Sequence, residues 1–151
     1  MERAPAAGVT PMRQEPRDNE ATRFPVSVKG VVIRRGQVAL LRNERDEWEL
    51  PGGKLERSES PQRCVAREIA EELGLQVEPS ALLDAWLYCI TPDVQVLIVT
   101  YGCQEKGEAE AVLSHEHKEL RWVSLSQLPA LRMPEGYKAS VRRWAEVLGG
   151  A

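Results

Sequence analysis

Three things are scarce in this sequence: long apolar runs, cysteines and excess positive charge. None of its 151 residues falls in a stretch near the roughly 18 apolar residues that span a membrane, and its start lacks the apolar run of a signal peptide. We therefore expect a cytoplasmic protein with no membrane partner. A net charge of −3 argues against a broad nucleic-acid surface, so no nucleic-acid partner is expected, while a small phosphorylated ligand needs only a local basic patch.

The cysteines are odd in number and lie far apart in the chain. Cys64, Cys89 and Cys103 stand in apolar surroundings. This pattern predicts buried, reduced thiols rather than disulfides or zinc ligands.

The remaining composition predicts one folded domain after a disordered arm. Residues 1–22 combine prolines and charges with little periodicity, which is typical of disorder, and residues 23–151 form the expected domain. The alternation of apolar residues predicts a strand hairpin at 26–33 and 38–42, a short extended segment at 48–50, and further strands at 82–90, 94–101 and 120–123. A closing amphipathic helix is expected at 136–148, so the fold class is α/β, a mixed sheet sandwiched between helices.

A central helix follows from its own start and stop signals. Ser60 is a favourable N-cap, Pro61 suits the first helical position, and Gly74 can take the left-handed conformation that ends a helix. Between them Val65 and Ile69 begin an apolar stripe with a spacing of four residues. That stripe should face a core.

Another face of this helix carries Glu68, Glu71 and Glu72. At spacings of three and four residues their carboxylates are neighbours and repel one another unless a cation neutralises them. Oxygen-only ligands suit a hard ion, so Mg²⁺ is the first choice and Mn²⁺ the second. Taken alone, such a stretch is more often a solvated helix face. The preceding Pro51-Gly52-Gly53 favours a site, because a glycine loop lets backbone groups approach a metal or phosphate.

The segment from Gly53 to Leu75 resembles the signature box of the Nudix hydrolases, with every fixed position filled. The resemblance covers about residues 24–148 and implies a Nudix-like α/β/α sandwich. It implies that Glu68, Glu71 and Glu72 bind metal with the carbonyl of Gly52. It also implies that Arg67 and Glu59 pair to orient the loop and the helix.

The resemblance implies one further acidic residue from a loop before a late strand. Glu116 is our choice, with Glu108, Glu110 and Glu119 as rivals and the possibility that all four are merely solvated. The general base stays open among Glu71, Glu72 and Glu116. His115 and His117 are candidate ligands or bases, although histidines in a polar loop are more often solvated.

The residues before the box bear on substrate. Gly52, Gly53, Lys54 and Trp48 are the expected substrate-binding residues, although Trp48, like Trp86 and Tyr88, suits the core as well as a nucleobase stack. The stretch from Trp48 to Lys54 resembles small nucleoside-triphosphate hydrolases, so these triphosphates rank first. Nucleotide sugars including ADP-ribose rank second, and Pro92 lies near the position of a proline common in ADP-ribose enzymes. Dinucleoside polyphosphates rank last.

Two other functions compete with this hydrolase. One is a non-catalytic nucleotide-binding module, whose members usually lack a box glutamate. The other is an RNA 5′-end pyrophosphohydrolase, which the acidic charge disfavours. A homodimer is left open.

Overall fold

The computed structural model describes residues 21–114, 117 and 119–149, so the expected arm lies almost wholly outside the described residues. Its first elements are the strands β1 (Val26–Arg34) and β2 (Gln37–Arg42), which pair antiparallel. Arg35 and Gly36 join them with positive φ angles of 51° and 75°, the conformation that a tight hairpin turn requires. The expected hairpin is confirmed.

The central helix α1 (Pro61–Leu73) begins and ends as the sequence predicts. The Ser60 hydroxyl accepts a hydrogen bond from the backbone N–H of Arg63, and Gly74 has a φ of 68° at the C-terminal end. Val65 and Ile69 pack against β1 at Gly30, where an added Cβ would lie 2.6 Å from Ile69 Cδ1. The helix therefore lies very close to the sheet.

The sheet is mixed, with strand order β3-β2-β1-β6-β5. Its members are β1, β2, β3 (Trp48–Glu49), β4 (Gly52–Lys54), β5 (Val77–Thr91), β6 (Val94–Glu105) and β7 (Glu119–Ser124). β1 runs parallel to β6 and antiparallel to β4, while β7 pairs with β2. One expectation was wrong: the second and third residues of Pro51-Gly52-Gly53 belong to β4 rather than to a loop, because β1 offers them a backbone partner.

Two apolar clusters occupy opposite faces of the sheet. One packs beneath α1 and includes Val28, Val32 and Ile69. The other includes Leu40, Tyr137 and Trp144, and it packs beneath the closing helix α2 (Glu135–Gly149), which a 3₁₀ segment (Leu125–Ala130) precedes. Helix, sheet and helix thus form the expected α/β/α sandwich.

The cysteine prediction holds in part. All three are free thiols, and Cys64 and Cys103 are buried. Cys89 is exposed, contrary to expectation, because it lies on the outward face of β5, which pairs only with β6 in the described part of the sheet. Within the same part of the chain, no helix is both long and apolar enough to cross a membrane.

Candidate active site

The three glutamates of α1 differ sharply in their surroundings. The Glu72 side chain is 5% exposed, that of Glu68 is 17% exposed, and that of Glu71 is 59% exposed. Their spacing puts them on neighbouring parts of one helix surface, and the strand β4 covers the inner part. The three carboxylates thus range from the buried Glu72 to the solvated Glu71.

Glu72 is fixed to the glycine strand. Its Oε1 accepts a hydrogen bond from the backbone N–H of Gly52 at 2.8 Å. Burial raises the pKa of Glu72 to about 7, although Lys29, the Gly52 N–H and His117 each act to lower it. A carboxylate with a pKa near neutrality is suited to accept a proton at physiological pH.

Gly52 and Gly53 permit close packing because they lack side chains, Gly52 against the backbone of β1 and Gly53 against Glu68. A Cβ on Gly53 would lie 2.4 Å from the carboxyl carbon and both oxygens of Glu68. Gly52 has a φ of 143°, and a Cβ there would lie 2.0 Å from the carbonyl oxygen of Val28. Burial also raises the pKa of Glu68. Both glycines are therefore required by close packing.

The ion pair expected between Arg67 and Glu59 is present. Arg67 Nε lies 2.6 Å from Glu59 Oε2, and Nη2 lies 3.1 Å from Oε1, a two-pronged contact. This hydrogen bonding lowers the pKa of Glu59 to about 2. Arg67 Nη1 also lies 3.3 Å from both Glu68 and Glu71, so one guanidinium joins the loop before α1 to two of its carboxylates.

A second charged cluster adjoins Glu72, and the sequence analysis missed it. His117 Nε2 lies 3.0 Å from Glu49 Oε2, and His117 Nδ1 lies 3.6 Å from Glu72 Oε2. Lys29 Nζ lies 3.8 Å from Glu49 Oε2 and donates to the carbonyl oxygen of Gly52 at 3.4 Å. Asn43 donates to the other oxygen of Glu49 at 3.1 Å. A lysine inside the apolar strand β1 was the available signal.

His117 is not the solvated histidine that its loop predicts. Its side chain is 11% exposed, and its buried Nδ1 has no hydrogen-bond partner among the residues that the structure describes. The hydrogen bond that His117 donates to Glu49 raises the pKa of His117. His117 therefore bridges two glutamates of the site, whereas His115 lies outside the described residues.

Glu116, the further acidic residue expected from the loop before the late strand, also lies outside the described residues, and its role stays a prediction. Of its rivals, Glu108 and Glu110 are exposed, and Glu119 pairs with Arg121 at 2.5 Å and with Arg42 at 3.4 Å. The Ser114 backbone N–H bonds to the Glu72 carbonyl oxygen at 2.9 Å, which ties this loop to α1.

The candidate substrate-binding side chains are divided between core and surface. Trp48 is 9% exposed and belongs to the cluster beneath α2, with the Arg121 guanidinium 5.1 Å from its ring centroid. Lys54 is exposed at the end of β4. Trp86 and Tyr88 are half-buried, with ring centroids 5.4 Å apart. Trp48 thus occupies the core position that the sequence left open, and Lys54 is free to reach a ligand.

By its chemistry the donor set fits a hard divalent cation. Glu68, Glu71 and Glu72 offer carboxylate oxygens, Gly52 offers a carbonyl, and burial raises the pKa of Glu68 and Glu72 because it disfavours their charged forms. In the described ranges, however, no three acidic, histidine or cysteine side chains converge into a complete ion site. Arg67 and Lys29 instead lie against these groups as internal counter-charges.

The fold and site together define an α/β protein with an acidic helix against a glycine strand. The NUDIX domain model matches residues 23–144, and the chain accordingly belongs to the Nudix hydrolases, which act on pyrophosphate bonds. A MutT-like protein of Streptomyces ambofaciens is 34% identical over 137 residues, covering 87% of this chain and 84% of that protein. A putative 8-oxo-dGTP diphosphatase of Bacillus subtilis is 33% identical over 106 residues, covering 69% of each chain.

Solved structures agree with this assignment. The MutT protein of Methanosarcina mazei superposes with a TM-score of 0.70 at 26% identity, covering 83% of this chain and 96% of that one. The names of the relatives differ in substrate: they include an 8-oxo-dGTP diphosphatase, an RNA pyrophosphohydrolase and an ADP-ribose pyrophosphatase. Family membership therefore leaves the substrate open.

Proposed function

We propose that the protein is a Mg²⁺-dependent pyrophosphohydrolase that converts a (deoxy)nucleoside triphosphate to its monophosphate and pyrophosphate. The observation that carries the proposal is the buried Glu72, which is bound to the Gly52 N–H and lies beside Glu68 and Glu71. A bound Mg²⁺ supplies neutralisation of the anionic phosphate oxygens and a more acidic water. Glu68, Glu71, Glu72 and the Gly52 carbonyl are the groups that would hold it.

Side chains of the protein can accept the proton of the attacking water and orient the loop against the helix. Water forms a bond to phosphorus as the phosphoanhydride P–O bond breaks, and the water proton goes to a carboxylate. The departing group keeps that electron pair; it is pyrophosphate if the α-phosphorus is attacked and the nucleoside monophosphate if the β-phosphorus is attacked. Glu72 is one candidate for this role, because its buried carboxylate is fixed to Gly52 beside the proposed ion. Glu71 and Glu116 stay alternatives for the base. Arg67 holds Glu59 and Glu68 and so fixes the loop against the helix.

Two observations favour a triphosphate. The stretch from Trp48 to Lys54 resembles that of small nucleoside-triphosphate hydrolases, and relatives named 8-oxo-dGTP diphosphatase match two thirds or more of this chain. A relative named for the ADP-ribose activity is 49% identical, but over 57 residues that make up 27% of that protein. A non-catalytic module is disfavoured because no box glutamate is missing.

The product pair distinguishes the substrates. Purified protein with Mg²⁺ and a panel of nucleotides should give nucleoside monophosphate and pyrophosphate from a triphosphate, whereas ADP-ribose would give AMP and ribose 5-phosphate. A kcat/KM for ADP-ribose more than about tenfold above that for every triphosphate, about 1.4 kcal/mol of transition-state preference, would overturn the ranking.

Variants test the site independently of the substrate. Glu71→Gln and Glu72→Gln should each lower turnover by at least about a hundredfold, since each removes a charge that helps hold the ion. Glu78→Gln is the control, because Glu78 is an exposed carboxylate on β5 that pairs with Lys106. Near-normal turnover in both site variants, with Mg²⁺ still required, would refute the assignment.

Cellular location and assembly are proposed separately. Three free thiols favour a reducing compartment, and we propose the cytoplasm. Cell fractionation tests the location, and gel filtration with light scattering distinguishes a monomer from the homodimer that the sequence leaves open.

A further inference from the structure

Lys29 is a buried lysine in the middle of an apolar strand. It is 7% exposed and lies between Val28 and Gly30 on β1, beneath the site. A buried ammonium is costly unless neighbouring groups compensate it, so such a residue needs a reason other than packing. Its contacts supply that reason.

The Lys29 ammonium lies between the site's carbonyl and its carboxylates. Nζ donates to the Gly52 carbonyl oxygen at 3.4 Å and lies 3.8 Å from Glu49 Oε2. The backbone N–H of the same residue donates to Glu72 at 2.8 Å. Gly52 is therefore held at its carbonyl by a buried cation and at its N–H by a buried carboxylate.

This contact coincides with a ligand of the proposed metal site. The Gly52 carbonyl is the backbone oxygen offered to the divalent cation, and a carbonyl oxygen that accepts from an ammonium is a poorer partner for a second cation. The charge of Lys29 also acts on Glu68 and Glu72, which would share in holding that ion. Lysine and divalent cation thus compete for the same groups.

We propose that Lys29 is an internal counter-cation that holds the Gly52 carbonyl and the inner carboxylates of the metal-free protein and yields them when a divalent cation binds. The inference rests on the proposed metal site and adds that Lys29 is a positioning residue that sets its affinity. Because a fixed positive charge repels an incoming cation, the protein should bind Mn²⁺ more weakly than a variant without that charge.

The test is a direct Mn²⁺ titration of metal-free protein, followed by electron paramagnetic resonance of the free ion. Lys29→Met should tighten the Mn²⁺ Kd by at least about fivefold, since neighbouring unit charges interact appreciably at the effective dielectric of a protein. The same variant without metal should melt at a lower temperature than the wild type, because Glu49 and the Gly52 carbonyl lose their cation.

The chain offers a matched control. Lys138 on α2 is also buried, with 4% of its side chain exposed, and its Nζ donates to the Pro129 carbonyl oxygen at 3.0 Å. Lys138→Met removes the same charge, a similar hydrogen bond and an ion pair with Glu135, away from the glutamates of the proposed metal site. Its Mn²⁺ Kd should stay within about twofold of the wild-type value, since its charge lies outside the site.

The outcomes separate this inference from the proposed function. One outcome refutes the role of Lys29 and supports the metal site. In it the wild type binds Mn²⁺, Glu72→Gln abolishes that binding, and folded Lys29→Met binds Mn²⁺ no more tightly than the wild type. If the wild type binds no Mn²⁺, both the proposed metal site and the role of Lys29 are refuted. Should Lys29→Met fail to fold, Lys29→Gln keeps a donor for the carbonyl while removing the charge, and the same tightening is required of it.

Discussion

Replacing Glu49 by glutamine should remove a specific part of the protein's acid sensitivity. The Glu49 side chain is 13% exposed. Burial acts to raise its pKa, but hydrogen bonds from His117 and Asn43 and the charge of Lys29 outweigh burial and lower the pKa to about 2. Since the folded value lies below the unfolded one, ionised Glu49 stabilises the fold above about pH 4.5, and that stability is lost as pH falls toward 2.

The size of the effect follows from the pKa of Glu49 in the two states. Taking 4.5 for the unfolded chain and about 2 for the folded protein, linkage gives about 3 kcal/mol at pH 6 and less than half of that at pH 3. The difference in unfolding free energy between wild type and Glu49→Gln should therefore shrink by about 2 kcal/mol over this interval. His117, whose pKa is raised, stays largely protonated in that interval.

Urea denaturation of metal-free protein at pH 3, 4, 5 and 6 measures this difference directly. Glu78→Gln, at an exposed pair with Lys106, controls for the loss of one negative charge. A gap between wild type and Glu49→Gln that stays constant from pH 6 to pH 3 would show that Glu49 does not titrate abnormally. The ionic cluster around His117 would then be wrong.

Three further predictions concern the helix and the metal. Arg67→Ala should lower both the melting temperature and turnover, turnover by at least about tenfold, because Glu59 loses both hydrogen bonds from the guanidinium. Arg67→Lys should restore part of each, since an ammonium cannot form two parallel hydrogen bonds. Equal melting and turnover in wild type and Arg67→Ala would contradict this. Gly53→Ala should displace Glu68 and weaken Mn²⁺ binding, measured by titration. An unchanged Mn²⁺ affinity would show that the close packing of Gly53 against Glu68 does not position a metal ligand. Excess EDTA should abolish turnover and added Mg²⁺ restore it, whereas activity in EDTA would exclude a metal requirement.

The helix could be predicted because its determinants are local. Ser60, Pro61 and Gly74 set its ends within the same short segment, and the apolar stripe set its buried face. The pair between Arg67 and Glu59 came instead from a family resemblance, since the two lie eight residues apart across the start of the helix. Both predictions depend on few long-range contacts.

The second charged cluster could not be predicted because tertiary pairing creates it. Lys29 meets Gly52 across 23 positions, and His117 meets Glu49 across 68, so no local pattern relates them. β4 was missed for a similar reason. Two glycines disfavour a strand by propensity, but pairing with β1 overrides that preference. The exposure of Cys89 likewise depends on which side of β5 is left open.

Because the sheet separates its two apolar clusters, thermal stability can be engineered separately from activity. The cluster beneath α2, with Val141 and Trp144, lies on the face away from α1 and its glutamates. A library of stabilising substitutions confined to that cluster, and sparing Trp48 and Leu50 next to Glu49, would leave the candidate active site untouched. Heat-tolerant forms of the enzyme are best sought there.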